Sequence, residues 1–419
     1  MNITAIRGFN DILPGESEVF RLIESEAGRV FSSYGYSEIR LPVVEKTELF
    51  SRSIGETTDI VEKEMYTFPD RHGDSLTLRP EGTASAVRAY IEHKLYTLPV
   101  ARLYYTGPMF RYERPQKGRY RQFYQVGAEC LGDDSPRSDA EALSMLMTFF
   151  ERLELKGATL QINSLGCAQC RPAYKERLKA FLAGRVDSLC ENCRRRIGAN
   201  PLRALDCKSH GCMEATKDAP SIIESLCQPC SVHFEAVRAR LRLSGVEAKI
   251  NARMVRGLDY YTRTTFEIIA EGLGSQNAVA AGGRYDRLVA ELGGPETPCF
   301  GFAIGMERLA LIIREGVPVR PLGVFIALGS PAEEKGAALL KDWRDKGLKL
   351  TEDFSTGQLR NRMKRADRLG ARYVVILGPD ELGQGVVTFK DMASAFQEKL
   401  PWDGVPARVL RGAIGAVES

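Results

Sequence analysis

Apolar residues between positions 15 and 34 recur every three or four positions, which places them on one face of a helix. They are Phe20, Leu22, Ile23, Ala27, Val30 and Phe31. A short strand, Ser37–Leu41, is expected to follow and to end at Pro42, because proline has no backbone N–H to offer a neighbouring strand. The N-terminal region is therefore predicted to be an amphipathic helix followed by a short strand.

The next region is predicted to contain a turn and a long hairpin. A strand ending at Leu78 leads into the turn Pro80-Glu81-Gly82 and a helix capped near Thr83. Two strands, 102–111 and 124–131, are joined by a basic loop within YERPQKGRYRQF. Most hairpin loops have about two to five residues. The length and positive charge of this loop therefore indicate a role in binding something anionic.

The middle of the chain alternates between helix and strand, with one interruption. A helix is predicted at 138–152 and a strand at 159–163. The alternation then gives way to 167–230, which is rich in cysteine and charge and which we interpret as an inserted module. The remaining elements are strands at 249–254 and 264–270, a glycine-rich turn (AGGRYDRL) at 281–288, and a strand or turn leading into an apolar helix at 298–314.

The pattern changes after a predicted linker at 314–323. Short apolar strands alternate with helices, which is typical of a small sheet covered on both faces. The strands are predicted at 324–328, 348–353, 373–378 and 385–391, and the helices at 331–346 and 356–370. The second helix carries five cations, Arg360, Arg362, Lys364, Arg365 and Arg368. Composition alone favours a solvated helix face there.

Composition places the chain among soluble globular proteins. It has 419 residues, of which 44% are hydrophobic and 27% charged, so about two or three domains are expected. No apolar run approaches the roughly 18 residues of a membrane helix, and the N-terminus lacks the apolar core of a signal peptide. We therefore expect a cytoplasmic protein without membrane contact. With a net charge of +4, a nucleic-acid partner would have to meet local basic patches.

Cysteines cluster in the inserted module. Three pairs have CxxC spacing and a fourth is looser: Cys167/Cys170, Cys190/Cys193, Cys227/Cys230 and Cys207/Cys212. Disulfides are disfavoured in the cytosol, and these eight thiols could hold one or two tetrahedral Zn²⁺ ions. The spacing between pairs is longer than in common zinc motifs, so buried packing and free thiols stay open as alternatives. Cys130 and Cys299 are isolated and are expected in the core.

Two stretches carry side chains suited to a nucleotide. FRYERPQKGRYRQFYQVGAE (110–129) offers arginines that can grip phosphate and a phenylalanine ring that can stack on a purine. GFAIGMERL (301–309) places Arg308 early in an apolar helix, where a buried guanidinium needs an anionic partner. Taken separately, the first stretch also fits a solvated hairpin, and Arg308 could reach the surface.

The order of these stretches resembles that of class II aminoacyl-tRNA synthetases. The helix–strand unit ending in proline is similar to their motif 1, FRYE with its basic loop to motif 2, and GFAIGMER to motif 3. RGLDYYTRTTFE (256–267) and AGGRYD (281–286) resemble the two histidine signatures of histidyl-tRNA synthetases. RGFNDILP (7–14) and LRPEGT (78–83) also fit that family. The resemblance covers nearly the whole chain, and the cysteine-rich part of the insertion is its one substantial departure.

The resemblance implies roles for two groups of residues. For ATP these are Arg111 and Arg256 at the α-phosphate as catalytic residues, Glu113 at the adenine amino group, Phe123 stacked on the ring, and Arg119 and Arg308 at the γ-phosphate. For histidine they are Glu81, Thr83 and Gln125 at the α-amino group, Glu129 and Tyr261 at the imidazole, and Tyr285 closing the pocket. Arg111 would also bind the histidine carboxylate.

The resemblance also implies an α+β catalytic domain built on an antiparallel sheet, an inserted mostly helical module and a C-terminal α/β anticodon-binding domain. The expected boundaries are 1–165 and 246–320 for the catalytic domain, 166–245 for the insertion and 321–419 for the anticodon-binding domain. L-histidine, ATP, Mg²⁺ and tRNA(His) would be its ligands, and the chain would form a homodimer. Gly282 and Gly283 are expected to let the backbone approach the ligand, although a plain turn would use them equally well.

Two other functions fit parts of the sequence. A catalytically inactive protein similar to the regulatory subunit of ATP phosphoribosyltransferase would usually lack the C-terminal domain and the histidine-signature residues, and this chain keeps both. A zinc-dependent nucleic-acid-binding protein would explain the cysteines but not the two arginine-bearing stretches. Histidine activation therefore accounts for more of the sequence than either alternative.

Overall fold

The computed structural model describes residues 3–54, 58, 60–198, 200–258, 260–273, 277–313 and 322–414. The chain divides into two compact units, residues 1–317 and 318–419. Among the described residues, no helix has both the length and the apolar character needed to cross a membrane. Each unit is built around its own sheet.

The first unit centres on a large antiparallel sheet. The strands of this unit are β1 (Ser37–Glu38), β2 (Val44–Lys46), β3 (Tyr66–Pro69), β4 (Ser75–Leu78), β5 (Ala101–Phe110), β6 (Gln122–Leu131), β7 (Thr159–Ser164), β8 (Ala248–Ile250), β9 (Thr262–Ile269), β10 (Ala278–Arg284) and β11 (Cys299–Gly305). Strands β2, β4 and β3 form a separate small sheet. The other eight form one sheet in the order β1-β5-β6-β11-β10-β9-β7-β8. The edge pairs β1–β5 and β7–β8 are parallel, and the pairs between them are antiparallel. The predicted antiparallel sheet is confirmed.

Helices pack on this sheet, and several of them lie along the chain between the paired strands β7 and β8. They are α1 (Glu16–Ser33), α2 (Thr47–Ile54), α3 (Thr83–Glu92), α4 (Pro136–Arg152), α5 (Arg171–Ala183), α6 (Glu191–Arg196), α7 (His210–Ala215), α8 (Gln228–Leu243), α9 (Leu288–Glu291) and α10 (Met306–Ile313). Apolar side chains of α1, α4, α8 and α10 share one core with the central strands. The predicted helix at 15–34 is confirmed, and Leu22 is the one residue of its apolar stripe that is partly rather than fully buried.

The glycine-rich segment at 281–288 is predicted to be a turn; this is wrong for residues 281–284, which belong to β10, whereas the chain does turn at Asp286 and Arg287. Gly282 and Gly283 lie inside β10, which pairs with β9 on one side and β11 on the other. A Cβ on Gly282 would collide with Gly301 O, and one on Gly283 would lie 2.8 Å from Thr265 Cα. Gly283 also has a φ of +151°, which side-chain-bearing residues rarely adopt. The glycines therefore serve close strand pairing in the sheet.

The second unit is a five-stranded sheet with helices. Its elements are β12 (Gly323–Ala327), α11 (Ser330–Asp345), β13 (Leu350–Glu352), α12 (Leu359–Arg368), β14 (Tyr373–Leu377), α13 (Pro379–Gln384), β15 (Val386–Asp391), β16 (Gln397–Pro401) and α14 (Gly404–Ile414). The order is β13-β12-β14-β15-β16, with β15 and β16 antiparallel to their neighbours. Strand β16 was not predicted because QEKLP is an exposed edge strand with little apolar signal.

One of the five cations on α12 does not belong to a solvated face. Arg362 is buried, and its Nε lies 2.9 Å from Asp353 Oδ2 while its Nη1 donates to Ala327 O at 2.6 Å. Arg362 is therefore a structural link between the helix and the sheet. Among the predicted cations, the exposed ones are Arg360, Lys364, Arg365 and Arg368.

Candidate active site

A cavity of about 340 Å³ opens beside β6, β10 and β11 in the first unit. Ten of the twelve predicted catalytic and binding residues line it: Glu81, Thr83, Arg111, Glu113, Arg119, Phe123, Gln125, Arg256, Tyr261 and Arg308. The remaining two, Glu129 and Tyr285, lie directly behind this lining, since Glu129 accepts a hydrogen bond from Thr83. Residues from distant parts of the chain thus meet in one cavity.

Three arginines face one end of the cavity. Arg111 follows β5, and its Nε donates to Pro80 O at 2.8 Å, which fixes the guanidinium beside the start of α3. Its Cζ lies 5.3 Å from the centre of the Phe123 ring on β6. Arg308 comes from α10, where its Nη1 donates to Ala278 O at 2.9 Å. Arg119 completes the group from the hairpin loop, so this end is suited to a polyphosphate.

Glu113 lies among these arginines. It is buried and forms an ion pair with Arg119, and Arg111 Nη1 lies 4.0 Å from its Oε1. The carboxylate predicted to read the adenine amino group is therefore already engaged by the arginine predicted to hold the γ-phosphate. A nucleotide that used both side chains would have to separate this pair.

Glu129 marks the opposite end of the site. It is completely buried, and three hydroxyl groups donate to its carboxylate: Thr83 at 2.8 Å, Tyr105 at 3.0 Å, and Tyr285 through a short hydrogen bond. Gly301 faces Glu129 across the β6–β11 pair, and a Cβ there would collide with Glu129 Oε2. The sheet is thus shaped to keep a carboxylate at this position.

Burial controls the protonation of Glu129. Desolvation raises the pKa of this carboxyl to about 8, because the hydrogen bonds from Tyr285 and Thr83 lower it by less than burial raises it. The neighbouring carboxyl group of Glu81 adds to the rise. Near neutral pH the site therefore holds a proton that it can share with a ligand.

Glu81 and Gln125 lie between the two ends. Glu81 accepts from the backbone N–H groups of Thr83 and Ala84, each at 2.8 Å, at the start of α3. Desolvation raises the pKa of Glu81 as well. Gln125 Oε1 is buried without a hydrogen-bond partner among the described residues. A buried carbonyl oxygen of this kind costs free energy until a donor reaches it, so it is suited to an amino group of a ligand.

Arg256 enters from the segment before β9. Its Nη1 lies 2.5 Å from Glu267 Oε1, and its Cζ lies 5.5 Å from the centre of the Tyr261 ring. Within the described part of the chain, the buried Arg256 Nε has no hydrogen-bond acceptor. Glu267 therefore orients a guanidinium that keeps donor capacity for a ligand.

Sequence reasoning missed three residues of the site. Tyr105 on β5 donates to Glu129, Glu267 on β9 holds Arg256, and Tyr260 lines the cavity beside Tyr261. Tyr260 and Glu267 lie inside the quoted stretch RGLDYYTRTTFE and could have been selected from it. Tyr105 is one of several aromatic residues on its strand, and the sequence gives no signal that distinguishes it.

An antiparallel sheet that carries half-buried arginines on a hairpin and on a terminal strand–helix unit is the arrangement of a class II aminoacyl-tRNA synthetase. Comparison with known proteins narrows this class. A family model described as histidyl-tRNA synthetase matches residues 8–309, and one described as anticodon binding domain matches residues 324–411. The chain belongs to the histidyl-tRNA synthetase family.

Curated relatives and solved structures agree with this assignment. The histidine–tRNA ligase of Syntrophotalea carbinolica is 54% identical over 413 residues, which is 98% of this chain and 99% of that protein. The histidine–tRNA ligase of Geobacter sulfurreducens is 56% identical over 401 residues, which is 95% of this chain and 97% of that protein. An apo structure of S. aureus histidyl-tRNA synthetase is 35% identical with a TM-score of 0.77, covering 97% of this chain and 100% of that one.

Proposed function

We propose that this chain activates L-histidine with ATP, giving histidyl-adenylate and pyrophosphate, and then transfers histidine to the 3′ end of tRNA(His) with release of AMP. One observation carries the proposal: a single cavity has arginines at one end, and the buried carboxylate of Glu129 lies directly behind its lining at the other. ATP is suited to the first end and the imidazole of histidine to the second. Membership of the histidyl-tRNA synthetase family supports the same activity.

The electrostatics of the cavity suit the activation step. The histidine carboxylate attacks the α-phosphorus and pyrophosphate leaves, so two anions must approach each other. Arg111 and Arg256 are placed to hold the α-phosphate, with Arg119 and Arg308 for the leaving phosphates. Cations fixed before the reaction stabilise the developing charge without reorganising. Mg²⁺ accompanies ATP and neutralises phosphate charge.

Amino-acid selection rests on polar pairing. The imidazole would meet Glu129 and Tyr261, and the α-amino group would meet Glu81, Thr83 and Gln125, with Tyr285 behind Glu129. An amino acid that left these buried groups unpaired would be rejected far more strongly than one differing by a methylene. We therefore expect no editing step. The eight clustered cysteines lie outside the described lining of the cavity, so a zinc ion held by them would take no part in the chemical step.

The second unit is proposed to bind the anticodon. Exposed cations on α12 can contact phosphates, and single-stranded bases can supply specificity. Contacts to unpaired bases contribute about 1–3 kcal/mol each. Removing residues 324–419 should therefore lower kcat/KM for tRNA charging by about 100-fold or more, while histidine-dependent pyrophosphate exchange changes by less than about tenfold.

Both rates should be measured on the full chain and on the truncated chain with the same tRNA(His) transcript. The full chain is expected to charge this transcript with histidine. A truncated protein that loses exchange and charging to the same extent would contradict the assignment of the second unit to the tRNA.

We also propose that the chain acts in the cytoplasm as a homodimer with one active site per subunit. Helix α1 and β1 resemble the dimer-forming motif of class II enzymes, and Ile3, Ile6 and Leu13 next to them are exposed apolar residues of the kind that subunit interfaces cover. Light scattering should give twice the 46.5 kDa mass of the chain. A mass equal to one chain at micromolar concentration would refute the dimer.

The proposed domain boundaries come from the resemblance to class II aminoacyl-tRNA synthetases. We propose that residues 1–165 and 246–320 form the catalytic domain, 166–245 the insertion and 321–419 the anticodon-binding domain. Support comes from the helices that lie between β7 and β8 and from the separate compact unit that begins at residue 318.

A further inference from the structure

The eight cysteines of the insertion form two separate groups of four. Cys167, Cys170, Cys227 and Cys230 make the first, and Cys190, Cys193, Cys207 and Cys212 the second, with all sulfurs of a group within 4.8 Å of one another. In each group two thiols are buried and two are half-buried. The first and last CxxC pairs of the insertion thus lie together in one group, and the two pairs that lie between them in the sequence form the other.

The distances between sulfurs match tetrahedral coordination of one ion. In the first group the Sγ···Sγ distances include 3.8 Å for Cys167–Cys170, 3.7 Å for Cys167–Cys227 and 3.9 Å for Cys170–Cys230. In the second group Cys190 and Cys207 are 3.8 Å apart. Four sulfurs about 2.3 Å from a zinc ion at tetrahedral angles are about 3.8 Å from one another. A disulfide would instead bring two sulfurs to about 2.05 Å.

The backbone around the thiols is arranged to support thiolates. Gln169 N donates to Cys167 Sγ at 3.4 Å in the first group, and Cys190 N donates to Cys212 Sγ at 3.1 Å in the second. Such donors orient metal ligands and stabilise their negative charge. Gly166 has a φ of +64°, and a Cβ there would lie 2.7 Å from Cys170 Sγ. Position 166 therefore requires glycine, because a side chain there would collide with the Cys170 sulfur.

Between α5 and α8 the described helices of the insertion are all short. Helices α6 and α7 have six residues each, which is short for a helix that must be stabilised by packing alone. Small modules of this kind usually need a disulfide or a metal. Cys193 and Cys212 share a core cluster with Tyr261 and Tyr285, so the insertion packs against the back of the histidine end of the active site.

Arginines next to each cysteine group hold the segment that carries Arg256 and Tyr261. Arg171 follows Cys170 directly, and its Nη2 donates to Tyr261 O at 2.6 Å. Arg203 lies between Cys193 and Cys207, and its Nη2 donates to Gly257 O at 2.7 Å. The first cysteine group is thereby linked through Arg171 to Tyr261, and the second through Arg203 to Gly257, which follows Arg256 directly.

We propose that each four-cysteine group binds one Zn²⁺ ion, and that the two ions fix Arg171 and Arg203 so that these positioning residues hold the histidine-binding segment in place. The two metal sites stand on their own geometry, whereas the positioning role rests on the proposed activation of histidine.

Metal analysis of the full chain, purified without chelators, tests the two sites. Two equivalents of zinc per chain are expected. One equivalent or less, or iron in place of zinc, overturns the proposal of two zinc ions. Cys212→Ala should lose about one equivalent, whereas Cys130→Ala, the same change at a buried cysteine outside both groups, should lose none. Equal zinc content in these two variants would also contradict the sites.

The positioning role is tested in Arg203→Ala, with Arg177→Ala as the matched control. Arg177 also lies in the insertion, but its Nη1 donates to Ser225 Oγ rather than to the active-site segment. Arg203→Ala should keep both zinc ions and raise KM for histidine about tenfold, with KM for ATP nearly unchanged, and Arg203→Lys should restore part of the loss. An unchanged histidine KM in Arg203→Ala overturns the positioning role. A wild-type chain with two zinc ions but no histidine-dependent exchange would refute the proposed function and leave the metal sites standing.

Discussion

Arg256→Ala is expected to lower histidine-dependent pyrophosphate exchange by about 100- to 1,000-fold, the usual loss when one fixed donor to a transition state is removed. Arg256 is held by Glu267 at 2.5 Å and has a buried Nε without a partner among the described residues. Its positive charge is therefore directed into the cavity at the position proposed for the α-phosphate. Because attack at phosphorus adds charge there, the loss should fall mainly on kcat.

The variant should remain folded. The Glu267 side chain is 27% exposed, so water can hydrate the carboxylate that loses its partner. Arg372→Ala is a matched control, because Arg372 also forms an arginine–carboxylate ion pair, at 2.9 Å from Asp391, but lies in the second unit. Exchange near the wild-type rate in a folded Arg256→Ala protein would show that Arg256 has no catalytic role.

Histidine binding is expected to be tightest between about pH 6.5 and about pH 8. The lower limit is the ordinary pKa of imidazole, and the upper limit is the pKa of Glu129, which burial raises to about 8. Between these limits the Glu129 carboxyl of the free protein carries a proton and the imidazole of free histidine carries none. The complex shares this one proton, so histidine binds without taking up a proton from solvent or releasing one. Above pH 8 a proton must be taken up and below pH 6.5 one must be released, and both weaken binding.

Glu129→Gln should weaken histidine binding about 10- to 100-fold at pH 7, because an amide cannot give the imidazole a proton and become the carboxylate that pairs with it. The fall in affinity above pH 8 should disappear, since the titrating group is gone. Calorimetric titration from pH 6 to pH 9 measures both effects. Glu141→Gln is the control, because Glu141 is a half-buried carboxylate that pairs with Arg102 and does not line the cavity. Affinity that is independent of pH over this range in the wild-type chain would contradict the role of Glu129.

The site could be predicted from the sequence because its residues lie in short stretches whose order is informative. Arg111, Glu113 and Phe123 lie on one hairpin, and Arg308 follows the strand paired with it. Ten of the predicted residues line one cavity. The roles assigned to them stay predictions, since contacts with ATP and histidine are what would test them.

Features that depend on long-range contacts could not be predicted. Arg362 looks like its neighbours on α12, and its burial follows from Asp353, which lies on a separate segment. Gly282 and Gly283 read as a turn because glycine is common in turns, whereas here they allow two neighbouring strands to approach. The joining of Cys167 with Cys227 across 60 residues has no local signal either. In each case the residue or strand that makes the contact lies on another segment of the chain and is brought close only by the fold.

The most direct test of the account is pyrophosphate exchange by the purified full chain with each of several amino acids in turn, in the presence of ATP and Mg²⁺. A signal that depends on histidine and is at least about 1,000-fold weaker with the other amino acids is the predicted result, since unpaired buried polar groups reject the wrong side chain. Exchange that is absent with histidine, or equally strong with another amino acid, would contradict the proposed function.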